Sequence, residues 1–364
     1  MSMDFIEALS EIEREKGISK DILIEAIEAA LISSYKRNYT AQNVRVDINR
    51  HTGAIRVYAR KTVVEDVLDP RTEISLFAAH EINPHFQLND IVEIEVTPRD
   101  FGRIAAQTAK QVVTQRIREA ERGLIYNAYV DKEEDIVTGI VQRQDTRNIY
   151  VDLGKIEAAL PLAELMPTDK FKHGDRIKGY ITKVENTTKG PQIMLSRTHP
   201  GLLKRLFELE VPEIFDGVVE IRSVAREAGH RSKIAVYSRN EEVDPVGSCV
   251  GPKGMRVQTI VNELRGEKID IVSWSEHVED YVANALSPSK VLEVEVFESE
   301  KMARVIVPDY QLSLAIGIKG QNARLAAKLT GWKIDIKSES QAEQEYGRPR
   351  SSSDLMHQDS VSID

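Results

Sequence analysis

Val250-Gly251-Pro252-Lys253-Gly254 returns about 66 residues later as Ile316-Gly317-Ile318-Lys319-Gly320, and each copy opens an amphipathic run that closes on the same four residues. Val257, Ile260, Val261 and Leu264 follow the first loop at helical spacing, as Leu325, Ala326 and Leu329 follow the second. Gly266 and Gly331 then precede Lys268-Ile269-Asp270-Ile271 and Lys333-Ile334-Asp335-Ile336, which read as short strands. One G-x-x-G alone says little. Loop, helix and strand repeated with a one-residue slip make one folding unit used twice.

The chemistry of that unit points to single-stranded nucleic acid. Paired glycines between two helices remove Cβ from both ends of a tight turn, so a sugar-phosphate backbone can approach main-chain N–H groups and the start of the next helix. Lys253 and Lys319 add positive charge at the loops, and Arg256 and Arg324 extend it into the following helices. A nucleotide-binding P-loop is excluded, because Gly247 to Gly254 has the wrong glycine spacing and no Ser or Thr after the lysine.

Further out, 364 residues with 41% hydrophobic and 6% aromatic content fit several small cores better than one large one. The formal net charge of −9 argues against a protein that coats nucleic acid everywhere, and for binding on local basic surfaces. From Gly317 to Lys337 five basic residues (Lys319, Arg324, Lys328, Lys333, Lys337) face one acid, Asp335, whereas Asp131 to Asp135 is mostly acidic. Cys249 is the only cysteine, so a reducing compartment is expected, and its place on an apolar helix face reads as core filler. Every long apolar stretch is broken by charge and no secretory leader is read at the start, so a cytoplasmic protein with no membrane segment is expected.

Residues 3 to 38 read as two helices separated at Gly17, followed by alternating strands at Val44–Ile48, Ile55–Val57 and Ile91–Val96 and a long helix from about Ile104 to Tyr129. The acidic cluster Asp131 to Asp135 reads as a hinge. Beyond it, Ile136–Val141, Asn148–Asp152, Glu157–Leu160, Arg176–Val184 and Gln192–Ser196 read as five strands of a small closed barrel. From Pro200 the order is helix, two strands, helix, loop, helix, strand, and a helix near Glu276 to Leu286 restarts it. The Ser-, Gln-, Glu- and Asp-rich end reads as a disordered tail.

A barrel followed by two G-x-x-G units resembles the NusA family of bacterial transcription elongation and termination factors. Gly102-Arg-Ile-Ala-Ala-Gln-Thr-Ala-Lys-Gln111 and Arg116-Ile-Arg-Glu-Ala-Glu121 are similar to that family's amino-terminal module and are far more specific than G-x-x-G. The resemblance implies an α+β multidomain chain: an α/β amino-terminal RNA polymerase-binding module (1–130), a five-stranded OB/S1 β-barrel (131–199), two type II KH domains (200–275 and 276–340) and a disordered tail (341–364). It implies RNA polymerase and single-stranded nascent RNA as partners, other elongation or antitermination factors as further candidates, and a monomer. It places RNA contacts at Gly251, Pro252, Lys253, Gly254, Gly317, Ile318, Lys319 and Gly320, and extends them to Arg256, Gln321, Asn322 and Arg324. In the barrel it points to Tyr150, and after it Tyr180, for base stacking, with a buried core tyrosine the alternative reading, while Lys178 and Lys183 alternate with apolar residues on one strand and fit phosphate contact or a solvated face alike. No long acidic region follows the second KH-like unit, as in short members of the family.

Nothing in the sequence proposes an active site, a cofactor or a metal. His80 and His85 form the only close histidine pair, and their spacing does not match metal ligation. An accessory part of a ribonuclease or phosphorylase is the rival reading, but residues 1 to 130 supply no acidic metal constellation. An RNA-binding translation or RNA-processing regulator shares the RNA surface and differs in what the amino-terminal module binds.

Overall fold

The structure, a computed structural model, describes residues 3–39 and 43–346, which divide into two compact units, one up to Asn127 together with Thr188–Pro191 and one of Ala128–Thr187 and the residues from Gln192 onward. In the first, Gly17 at φ 68° ends α1 (Met3–Lys16) and starts the turn into α2 (Lys20–Tyr39). The stripe of Leu23, Ile24, Ile27 and Leu31 on α2 meets Ile6 and Leu9 of α1 in one core. A turn in which the Asn49 side-chain oxygen accepts from the amides of His51 (2.9 Å) and Thr52 (2.8 Å) joins β1 (Val44–Ile48) to β2 (Ile55–Val64). The far half of β2 pairs in parallel with β3 (Glu73–Ser75), while its middle pairs antiparallel with β4 (Ile91–Glu95). Ser75 caps α3 (Leu76–Ile82), its hydroxyl accepting from Ala78 N at 3.3 Å. α4 runs Phe101–Val130, starting three residues before the expected Ile104, and Phe101, Ala105 and Ala109 close the core.

The second unit begins with strands β5 (Ile136–Gln144), β6 (Asn148–Asp152), β7 (Glu157–Pro161), β8 (Arg176–Thr187) and β9 (Gly190–Ser196), closed in the order β5-β6-β7-β9-β8. The acidic cluster in front of them is not a free hinge. Glu133 Oε1 accepts from Val184 N at 2.5 Å, Glu134 N donates to Ile181 O at 3.0 Å, and Ile181 N donates to Asp135 O at 2.9 Å, so these residues are fastened to β8.

Next come α5 (Pro200–Glu210), α6 (Pro212–Phe215), β10 (Val219–Glu227), β11 (Arg231–Ser238), α7 (Pro245–Val250), α8 (Met255–Glu263) and β12 (Lys268–Ser273). Three of these helices open on proline, whose missing N–H costs nothing at the first helical position. The central strand β11 pairs antiparallel with β10 and parallel with β12. The pattern repeats as α9 (Val278–Ala285), β13 (Glu293–Phe297), β14 (Met302–Val307), α10 (Leu312–Ile316), α11 (Gln321–Thr330) and β15 (Lys333–Ser338), with β14 again antiparallel to one neighbour and parallel to the other. The predicted tail is corrected over its first residues: α12 (Glu339–Tyr346) is ordered because Asp309 accepts from Ser340 N and Oγ at 3.2 and 2.5 Å and Ala342 is buried. The rest of that tail lies outside the described residues.

Within this unit the seams are packed like domain interiors. Met166 and Tyr180 of the barrel share a core with Leu202, Leu203 and Phe207 of α5, and Ala225, Ala235 and Val272 share one with Tyr281, Leu325 and Leu329. Buried charges fasten the same seams. Arg197, after β9, donates to Asp169 Oδ2 (2.8 Å), to Lys178 O (2.6 Å) and to Glu263 O of α8 (3.1 Å). Arg226, whose buried side chain pairs with Glu267 at 2.9 Å, donates to His199 O ahead of α5 at 2.8 Å. Lys233 Nζ reaches Asp270 Oδ2 at 2.8 Å and Ser287 O at 2.7 Å. A charge this far from water persists only with such partners.

Candidate nucleic-acid interface

The two G-x-x-G loops have the same backbone. Gly251 lies at φ 72°, ψ 175° and Gly317 at φ 77°, ψ 171°, a conformation essentially reserved for glycine. Gly254 (φ 75°, ψ 15°) and Gly320 (φ 73°, ψ 17°) are left-handed. Between them Lys253 (φ 54°, ψ 25°) and Lys319 (φ 52°, ψ 29°) are left-handed too, although each carries a Cβ. A lysine in that conformation costs about 1–2 kcal/mol, so both loops hold a strained, exposed cation in one geometry. Each loop is pinned at its start, Gly251 N donating to Gly247 O and Gly317 N to Ser313 O, both at 2.9 Å.

Beneath the first glycine of each loop sits a side chain two residues past the last glycine. Arg256 Nη1 donates to Ser248 O at 2.5 Å and to Glu213 Oε2 at 2.9 Å, and Asn322 Nδ2 donates to Ala315 O and Leu286 O, both at 3.0 Å. A Cβ built on Gly251 would come within 2.7 Å of Arg256 Cγ, and one on Gly317 within 2.8 Å of Asn322 Cβ and N. Two sequence expectations change. Asn322 is 1% exposed and braces the loop from inside instead of lying along a phosphate path, and Arg256 is its structural counterpart, tied to Glu213 and a helix end rather than free on the surface. The sequence pairing of Arg256 with Arg324 therefore fails; their shared charge hid the fact that Arg256 matches Asn322 in position.

Arg324 lies over the second loop. Its Nη1 donates to Lys319 O at 2.6 Å, while Nε and Nη2 reach Glu227 Oε1 at 3.1 and 3.0 Å; Gln321 Nε2 donates to Glu227 Oε2 at 2.8 Å. Glu227 ends β10 of the preceding unit, 94 residues from Gln321 in the chain, and no local signal announced it. Ile318 is 85% exposed beside Lys319, and Pro252 and Met255 are exposed at the first loop.

On the barrel, Tyr150 is half-buried on β6, its hydroxyl donating to Asp145 Oδ2 at 3.0 Å. The Arg143 guanidinium, which sequence reading passed over, lies 3.5 Å from its ring centroid and is held by Glu157 at 2.9 Å. Its signal was an arginine on the strand paired with that of Tyr150. Lys178 turns toward Glu263 at 3.6 Å on the α8 seam, and Lys183 pairs with Glu185, so neither joins Tyr150. Tyr180 is buried, stacked on His199 at 4.6 Å. Cys249 is buried as well, and burial pushes its thiol up to about 12, as core filler requires. Among the described residues no group of three or more His, Cys, Asp or Glu is placed to hold a metal ion, and no helix is long and apolar enough to cross a membrane.

A closed five-stranded barrel continuous with two KH units, each presenting a glycine-lysine loop, defines a chain built from RNA-binding domains. Comparison with known families agrees: residues 4–123 match the NusA N-terminal domain, 130–196 the S1 RNA binding domain, 197–274 the NusA-like first KH domain and 278–344 the NusA-like second KH domain. Among curated relatives, the transcription termination/antitermination protein NusA of Halalkalibacterium halodurans is 74% identical, covering 94% of this chain and 90% of the relative. That of Bacillus subtilis is 71% identical, covering 94% and 92%. A solved structure, the N-terminal domain of NusA from B. subtilis in solution, is 68% identical over 34% of this chain and 99% of its own, with a TM-score of 0.31. The chain belongs to the NusA family.

Proposed function

We propose that this chain is a non-catalytic transcription factor that docks on RNA polymerase through residues 1–130 and holds single-stranded nascent RNA on residues 131–340, acting on pausing, termination and antitermination. Division into an S1 domain (131–199), a first KH domain (200–275) and a second (276–340) is part of the reading, as are RNA contacts at Gly251–Gly254, Gly317–Gly320, Gln321, Arg324 and Tyr150. So are a monomeric state, a cytoplasmic location and further elongation or antitermination factors as partners. The names of the relatives, which are termination/antitermination proteins, support the process. The observation that carries the site is the pair of left-handed lysines, since a strained backbone repeated at two loops is kept where it serves binding. For the first unit, Leu68, Phe77 and Ile82 stand exposed around β3 and α3, as a protein-docking face would.

Replacing Lys253 and Lys319 together by Asp puts carboxylates where phosphates pass. Filter binding of the full chain to a single-stranded oligoribonucleotide is expected to weaken at least about tenfold, with the salt slope falling by about 1.4 for two lost phosphate contacts. Unchanged affinity in a variant with the native circular dichroism would remove the loops from the RNA site.

A further inference from the structure

We propose that the Glu227 carboxylate occupies a phosphate site of the second KH loop, and that an RNA phosphodiester enters this site by replacing it. The inference rests on the reading of the KH loops as the RNA site and goes beyond it by naming a group that sets the affinity of one loop.

Three donors converge on Glu227: Gln321 Nε2 at 2.8 Å, and Arg324 Nε and Nη2 at 3.1 and 3.0 Å. The arginine's remaining terminal nitrogen is spent on the loop itself, donating to Lys319 O at 2.6 Å. Lys328 adds a further positive charge on the same side. This is the donor set that a phosphodiester takes: a guanidinium edge and an amide N–H in the first turn of α11, beside an exposed loop lysine. The donors are already filled by an anion of the chain's own.

The arrangement belongs to the second unit only. The residue of the first KH unit that lies, like Arg324 in the second, four positions past the last loop glycine is Gln258, and its amide donates to Asn262 Oδ1 at 2.9 Å within its own helix. No carboxylate from a neighbouring unit reaches it among the described contacts. Arg324 remains about half exposed, so the exchange of Glu227 for phosphate needs no unfolding of the seam. Ser223 Oγ, donating to Leu329 O at 2.8 Å, and the core shared by Ala225, Ala235 and Leu325 keep the two KH units joined without Glu227.

The test compares the full-length wild type with Glu227→Gln, Arg324→Gln, the double variant and the Lys253→Asp/Lys319→Asp pair, each titrated with one single-stranded oligoribonucleotide over a range of salt. Thermal melting and circular dichroism confirm folding. Glu227→Gln keeps the side-chain shape and removes the charge; binding is expected to tighten roughly two- to fivefold, as fits a partly exposed ion pair, and the salt slope to steepen by about 0.7 for one more phosphate neutralised. The gain should vanish in the Arg324→Gln background. Equal or weaker binding by folded Glu227→Gln, or a gain that survives Arg324→Gln, overturns the proposal while leaving the loops as the RNA site if the lysine variants still lose binding. Unchanged binding by the folded Lys253→Asp/Lys319→Asp protein overturns the site reading and the proposal with it.

Discussion

Gly317 is where one side chain decides whether the second loop forms. Its φ of 77° with ψ of 171° suits no L-residue, and a Cβ there would meet Asn322 N and Cβ at 2.8 Å, an immovable wall of backbone. Gly320 is milder: it is plainly left-handed, and the nearest atom to a Cβ is the Arg324 guanidinium at 3.6 Å. Gly317→Ala is therefore expected to destabilise the protein by about 3 kcal/mol or more and Gly320→Ala by about 1 kcal/mol, read as urea midpoints. Equal losses would mean that Asn322 does not brace the loop. The demand for glycine was legible in the sequence, because the motif itself states it. The brace was not, although its signal lay at a fixed place, two residues past the last glycine in both copies. Arginine and asparagine share no charge, yet each carries a donor long enough to reach the carbonyls of the preceding helix, and only the fold shows that reach.

At the scale of elements, hydrophobic alternation located most of the fold. All five barrel strands, and after each glycine-lysine loop the helix and its closing strand, fall where apolar periodicity put them, because each buries one face. β3, with three residues, is too short to show a period, and α3 follows it without a break. α12 was missed because its polar composition matches a solvated tail, while its anchor, Asp309, is 31 residues away from Ser340. Such cross-element bonds also set the response to acid. Burial alone would raise Glu227 above its ordinary 4.5, but bonds from Gln321 and Arg324 outweigh it and hold the carboxyl below that value. Asp309 is likewise held below 3.8 by Ser338 and Ser340. A depressed carboxyl contributes stability that is complete above its unfolded value and is lost as pH falls through its folded one. The urea midpoint is thus expected to drop on acidification below 4.5, and to drop less steeply in Glu227→Gln. Parallel pH profiles for the two proteins would show that Glu227 is not linked to folding.

At the scale of the molecule, the proposed function has an acidic chain of net charge −9 bind RNA at two confined loops and carry a separate unit for a protein partner. Composition and repeat spacing made that modular plan legible; they did not reveal that the barrel and both KH units share cores and buried ion pairs. Those seams make Ala128–Thr187 and the described residues from Gln192 onward one compact unit, so the two glycine-lysine loops are presented together. A factor without an active site changes elongation only by binding some polymerase states better than others. Linking the polymerase-binding unit to the RNA-binding unit raises the local concentration of nascent RNA at the loops, which lets modest RNA affinity suffice. Single-round transcription on a pausing template tests this directly, comparing the intact chain with its two halves, residues 1–123 and 128–346, added together unlinked below their separate dissociation constants. The account predicts longer pauses with the intact chain and little change with the halves. Equal lengthening by the unlinked halves would contradict it.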